Sequence, residues 1–248
     1  MDQPIFYTKN IARYDANVMT ASTGSAGLPF LVDCSSLAQW QSVGSNDATP
    51  EIIIIDFGVS QYIGAIFLDN INLKDFKVQY WDGSAWQDIT ETINTAYALP
   101  YFYAEFTHVL TQEIQLIMNT TQSADDQKRI GELYLCDKVL PLDATAEFNY
   151  KEDSVLIGGS YRLGNGKLQS WFVNQKWLGN ITFNYLQASI LASLKAIYDT
   201  HDSFCIRPEP EAAPQDFFEA KWTGKWTAPY SGEIKANGKD LTMTLEEV

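Results

Sequence analysis

The chain has 248 residues, 46% of them hydrophobic and only 19% charged, with a net charge of −14 at pH 7. That apolar content fills one large or two ordinary cores and excludes global disorder. Residues 1–140 carry 17 acidic and 7 basic side chains and residues 141–248 carry 14 and 10, so both halves repel phosphate backbones and nucleic acid is excluded as a partner.

The opening segment, Met1-Asp-Gln-Pro-Ile-Phe-Tyr7, has neither the basic n-region nor the apolar h-region of a secretory signal. No apolar run approaches the ~18 residues of a membrane span. The expectation is a protein made in the cytoplasm without membrane insertion. Short strands separated by turn residues follow: Asn17–Ala21, Phe30–Val32, Glu51–Phe57, Tyr62–Leu68, Phe76–Trp81, Tyr101–Phe106, Glu113–Met118 and Ile130–Cys136. Their spacing is that of a β-sandwich. Ile52–Ile55 is continuously apolar, as in a strand covered on both faces. Phe76, Val78 and Tyr80 alternate with Lys77, Gln79 and Trp81, as in a strand with one wet face.

Leu140-Pro-Leu-Asp143 reads as a joint, giving domains at 1–138 and 141–248. Strands are expected near Ala146–Tyr150 and Ser154–Ile157, then a hairpin turn at Asn165-Gly166 and an alternating stretch at Lys167–Trp177. Leu186, Ile190, Leu191, Leu194 and Ile197 recur at helical spacing and predict a helix over Tyr185–Thr200. Strand candidates close the chain at Ser203–Arg207, Phe217–Trp222, Gly224–Ala228, Glu233–Ala236 and Leu241–Leu245. The fold class is mainly β, with an N-terminal jelly-roll sandwich and a C-terminal β-barrel-like domain carrying one α-helix.

Catalytic constellations are absent. His108 and His201 stand alone, without metal-ligand spacing, and no GxSxG elbow presents a nucleophile. Gly158–Lys167 lacks the lysine position of a phosphate loop and reads as a hairpin. The strand-end carboxylates Asp56, Asp69, Asp82, Glu132, Asp153 and Glu219 supply material for a glycosidase, but nothing singles out two of them. Cys34, Cys136 and Cys205 form no metal pattern and read as small buried thiols, with a Cys34–Cys136 bridge as the alternative. No cofactor and no catalytic residue is assigned. The ligand-binding candidates are Trp81, which alternates to the wet face, and the loop residues Asp33, Asn46 and Asp47, whose oxygens suit polar or cation contacts. Trp40 and Trp86 are read as core plugs.

Residues of about 15–137 resemble the discoidin, or factor 5/8 C-type, galactose-binding-like domain. Leu37-Ala-Gln-Trp40, Ile53-Ile-Ile-Asp-Phe-Gly58, Ile63–Leu68, Phe76–Tyr80 with Gly83-Ser-Ala-Trp86, and Ile130-Gly-Glu-Leu-Tyr-Leu135 follow that family's order. The resemblance implies a jelly roll whose end loops bind glycan, lipid head group or protein. The second half resembles bacteriophage distal-tail and baseplate proteins through Trp177–Phe183, the helix, Phe204–Glu209, Trp222–Tyr230 and Leu241–Val248. That resemblance implies a non-enzymatic virion structural protein whose second domain joins a homo-oligomeric ring with other tail proteins. Its sandwich would face outward to host-surface glycan. The alternative is a free carbohydrate-binding module with an accessory domain.

Overall fold

The computed structural model describes residues 4–13, 17–33, 38–44, 47–140, 147–162, 167–186, 188–211, 213, 215–227 and 239–248. The protein is mainly β. Its elements are β1 (Ile5–Tyr7), β2 (Val18–Ala21), β3 (Trp40–Gln41), β4 (Glu51–Asp69), β5 (Leu73–Trp81), β6 (Trp86–Asp88), β7 (Phe102–Thr121), β8 (Arg129–Ile130), β9 (Glu132–Cys136), β10 (Lys138–Leu140), β11 (Glu147–Arg162), β12 (Leu168–Leu186), α1 (Ala188–Thr200), β13 (Phe204–Arg207), β14 (Phe218–Trp222) and β15 (Lys239–Glu247). Among the described residues no helix is long and apolar enough to cross a membrane.

The chain divides into two compact units, Tyr7–Lys138 and a second made of Met1–Phe6 with Val139–Val248. The sequence pattern assigns the first six residues to the sandwich. They belong instead with the second unit, because the Phe6 ring lies 5.9 Å from Phe204 and 6.4 Å from Phe183 in that unit's core. The sandwich is therefore an insertion, entered at Tyr7 and left at Lys138.

Within the sandwich, β4 and β7 are each one long strand where the sequence pattern suggests two. Their registers explain it. Glu51–Asp56 pairs with Glu113–Met118 of β7 on one side, and its neighbour on the other side is β2. Ala65–Leu68 pairs with Phe102–Glu105 of β7, and β9 flanks it. One strand pair thus runs through two sheet segments and bends between them. Two glycines lie at the bend. Gly58 has φ +70° and donates its amide to the Asp56 carboxylate at 2.8 Å. At Gly64 a Cβ would meet the Asp137 carboxylate oxygen at 2.6 Å. A five-stranded path, β2-β4-β7-β5-β6, forms the larger sheet.

The core between the layers holds Ile53, Ile55, Ile63, Phe76, Val78, Leu116 and Met118, with Trp40 fully buried at its edge. Trp40 is the plug that its position suggests. The expected strand at Phe30–Val32 is instead part of a 3-10 helix, Ser25–Val32. Pro29 lies inside it and could not donate to a sheet ladder. Cys136 and Cys205 are buried, and Cys34 lies outside the described residues.

At one end of the sandwich Lys128 is wholly buried. Its ammonium donates to the carbonyl oxygens of Asp47 at 3.2 Å and Thr49 at 2.5 Å. Burial draws its pKa down, and the Glu51 and Asp47 charges oppose that shift. Glu51 is itself 1% exposed, and its Oε2 has no hydrogen-bond partner. The ammonium is held by the Asp47 and Thr49 carbonyls, which replace the water it loses on burial. Where the chain enters and leaves the sandwich, Tyr7 donates to Glu105 at 2.6 Å, Tyr103 donates to the same carboxylate, and Lys138 pairs with it at 2.9 Å. Burial works against ionisation of Glu105; the three donors outweigh it and hold its carboxyl below the usual range.

The second unit is a seven-stranded sheet, β10-β1-β13-β14-β15-β12-β11, with α1 contributing Ile190 and Leu194 to its core. The helix begins at Ala188, three residues later than the periodicity suggests, because β12 continues to Leu186. Gly179 lets the Trp177 indole fold over the strand: a Cβ there would come within 2.2 Å of the ring. Residues Gly224–Thr227 are not a strand, and Glu233–Ala236 lie outside the described residues.

Replacing Lys128 by Met strips the Asp47 and Thr49 carbonyls of their donor and should cost the sandwich ~1–3 kcal/mol, while K128R, which keeps a cationic donor, should cost less. Calorimetry of the full chain measures both. A K128M loss under ~0.5 kcal/mol would show that the ammonium does not hold the 47–49 carbonyls in solution.

Candidate functional site

The site is built on the β5–β6 hairpin. Its turn, Asp82–Ala85, is organised by one carboxylate. Asp82 accepts hydrogen bonds from the Ser84 amide, the Ser84 hydroxyl and the Ala85 amide, each at 2.8 Å, and from the Gln87 side-chain amide at 2.8 Å. Those donors, the Ala85 amide foremost, pull the Asp82 pKa down to about 2. Gly83 follows with φ +97°. The turn sets the register Trp81↔Trp86, so the two indoles stand directly opposite on one face of the sheet. Their rings are 5.5 Å apart at 63°, an edge-to-face pair, and both are half-buried. The Thr111 hydroxyl of β7 donates to the Trp81 carbonyl at 2.8 Å and ties the hairpin end to the central strand.

The face follows from alternation. Phe76 and Val78 point into the core, so Lys77, Gln79 and Trp81 stand on the outer face. Register carries that face across the sheet: Gln79 lies opposite Asp88 on one side and Gln115 on the other, and Gln115 lies opposite Ile54. These side chains form a connected polar row. Gln79 donates to Asp88 at 2.6 Å, Gln115 donates to Gln79, and Lys77 pairs with Asp88 at 2.7 Å. The Lys77 ammonium, helped by the Gln79 amide, holds the Asp88 carboxyl below the usual range. The Trp81–Trp86 pair lies alongside, one step further along the strands. Asp56 and Glu113 face each other at the next register position of β4 and β7. An aromatic pair beside a fixed row of amides and carboxylates can pack against an apolar ring face while hydrogen-bonding the groups on its rim.

Of the residues the sequence singles out, Trp81 is in this site. Asp33 is exposed at the C-terminal end of the 3-10 helix Ser25–Val32. Asp47 is half-buried, its carboxylate accepting the Asp125 amide at 3.1 Å and its carbonyl taken by Lys128. Asn46 lies outside the described residues. Asp47 precedes Glu51, at the opposite end of the first β4 segment from Asp56, about 16 Å along the strand. The structure therefore does not bring Asp47 together with Trp81. The carbonyls of the 47–49 loop already surround an ammonium, and among the described residues no group of three His, Cys, Asp or Glu side chains could hold a metal ion.

Trp86 corrects the sequence reading. It is not a core plug but the partner of Trp81 on the outer face. The signal was available: four residues separate the two in a turn opened by Asp82-Gly83, which places them opposite one another. Gln79, Asp88 and Gln115 were missed because a row of amides has no spacing signature until the register is known. Several carboxylates considered for hydrolysis have structural work. Asp56 accepts Gly58 and Gln112, Asp82 holds the turn, Asp153 accepts the Ser154 amide, and Glu219 accepts the Ser203 hydroxyl.

No family model and no curated protein matches the chain. Solved structures similar to part of it include carbohydrate-binding modules. A chitosan-binding module of a Paenibacillus sp. IK-5 chitosanase/glucanase has a TM-score of 0.45 at 18% identity, over 52% of this chain and 98% of that one. The Clostridium perfringens module CpGH89CBM32-6 has a TM-score of 0.44 at 15% identity, over 52% and 99%. CpGH89CBM32-5 of the same organism, solved with GalNAc-β-1,3-galactose, has 0.41 at 14%, over 48% and 94%. None of these three is a bacteriophage protein.

In an NMR pH titration the amides of Ser84 and Ala85 should report the Asp82 carboxyl with a midpoint of about 2. A midpoint near the ordinary ~4 of an aspartate would mean that the carboxylate does not hold the turn in solution.

Proposed function

We propose that the Tyr7–Lys138 sandwich is a non-catalytic carbohydrate-binding module that takes glycan on the outer face of its larger sheet. The observation that carries this reading is the half-buried Trp81–Trp86 pair beside the Asp88–Gln79–Gln115 row. A pyranose has C–H groups on its faces and hydroxyls around its rim. The indoles match the first and the amide and carboxylate row matches the second. The row is hydrogen-bonded to itself in advance, so little side-chain entropy is lost on binding. The sandwich's acidic balance favours neutral or amino sugars over sulfated or uronic ones.

The second reading, an assembly protein of the bacteriophage tail-tip kind that carries this sandwich outward, is favoured by one feature of the other unit: the long β11–β12 hairpin. In that reading weak contacts per copy are multiplied by the number of copies.

Glycan-array screening of the full chain, followed by calorimetry, tests the proposal, with chitosan oligosaccharides and GalNAc-β-1,3-galactose as first probes. W81A and Q79A should each weaken binding at least ~tenfold, equivalent to ~1.4 kcal/mol, with the fold intact by circular dichroism. The bound glycan should be recovered uncleaved. An array without a bound glycan, or binding that W81A leaves unchanged, would sink the reading.

A further inference from the structure

We propose that the distal part of the β11–β12 hairpin is an assembly arm that docks on the acidic surface of a second copy of this chain. The backbone pairing shows where the arm begins. β15 pairs with β12 from Leu178 to Leu186 and stops there. From Ser154↔Trp177 out to Arg162↔Leu168, the pairing of β11 with β12 is the only one among the described residues. The base is anchored. Trp177 is 5% exposed, stacks on Phe218 with ring centroids 4.5 Å apart, and donates its indole N–H to the Tyr150 hydroxyl at 2.8 Å; its backbone amide donates to the Glu247 carboxylate at 2.8 Å. Beyond this anchor a ribbon of nine residues in β11 reaches about 30 Å.

A two-stranded ribbon of this length is marginal on its own in water. Its sequence is not that of a solvated hairpin. The register sets Trp171 opposite Gly159, Tyr161 opposite Gln169, Phe172 opposite Gly158 and Leu168 opposite Arg162. Apolar and aromatic residues thus occur at consecutive positions of the ribbon, where a strand with one solvated face alternates and one solvated on both is polar throughout. β11 is also an edge strand of 16 residues, an open template for further pairing.

Charge identifies the occupant. Residues 154–176 contain Arg162, Lys167 and Lys176 and no acidic residue. The remainder of the chain holds all 31 acidic side chains against 14 basic ones. An apolar, positively charged arm on a strongly acidic body is complementary to that same body in another copy. Nucleic acid or an anionic membrane would meet the arm but be repelled by the rest.

The test is the mass of the full chain in solution by light scattering and native mass spectrometry, from ~0.1 to ~100 µM, at low and high salt. The expected result is concentration-dependent self-association that weakens with salt. R162E/K167E should weaken it at least tenfold, with circular dichroism and melting of the monomer unchanged. Hydrogen exchange on the unmodified chain should show the amides of Ser154–Arg162 and Leu168–Lys176 protected at high concentration and released on dilution, independently of whether any variant folds. A monomer at every concentration overturns the proposal. So does an oligomer indifferent to the charge reversal whose ribbon amides exchange alike at all concentrations, or a monomer that retains DNA or anionic vesicles.

Discussion

The pairing of β4 with β7 is the constraint on which the sandwich depends. Other strands of its larger sheet are placed by it: β2 lies against the first part of β4, β9 against the second, and β5 against β7. Because the pair belongs to both sheet segments, the bend between them is a structural requirement. That is why Gly58, with φ +70°, stands there rather than a larger residue, and why the register shifts of this pair fall at Asp56–Gln61 and Ile63–Ala65. A slip of one residue in the first segment of β4 would turn Ile53 and Ile55 outward and bring Ile52 and Ile54 in.

The binding face is set by this frame one step removed. β5 is held by β7, so the outer placement of Gln79 and Trp81 follows from the burial of Phe76 and Val78. β6 is held only by β5, and its register is decided by the Asp82 turn. The aromatic pair therefore rests on two devices with different failure modes. Core packing chooses the face, and a single carboxylate chooses which residue of β6 meets Trp81. The Thr111–Trp81 hydrogen bond joins the two, since Thr111 sits just at the β7 side of the bend.

Much of this was legible in the sequence. The alternation Phe76-Lys-Val-Gln-Tyr-Trp81 placed Trp81 on the wet face, and the apolar run Ile52–Ile55 marked a central strand. Trp40 was recognisable as a plug. Other features were illegible for physical reasons. Long bent strands read as two short ones, because bend residues such as Gly58 and Ser60 look like turns. The 3-10 helix at Ser25–Val32 was hidden by an apolar composition that suits a strand, although Pro29 argued against one. Phe6 could not be assigned to the second unit, because three residues of strand carry no periodicity and the partners Phe183 and Phe204 are about two hundred positions away. The burial of Lys128 was invisible for the same reason: an ammonium held by the Asp47 and Thr49 carbonyls is a property of long-range contact, while the charge alone reads as surface.

The two ends of the inserted sandwich meet at one side chain. Both chain crossings of the sandwich, Tyr7 and Lys138, are fixed to the same Glu105 carboxylate. They continue into β1 and β10, which are neighbours in the seven-stranded sheet. The charge-assisted bonds at Glu105 are partly exposed, so their worth to stability is small. Tyr7, Tyr103 and Lys138 approach that one carboxylate from three strands.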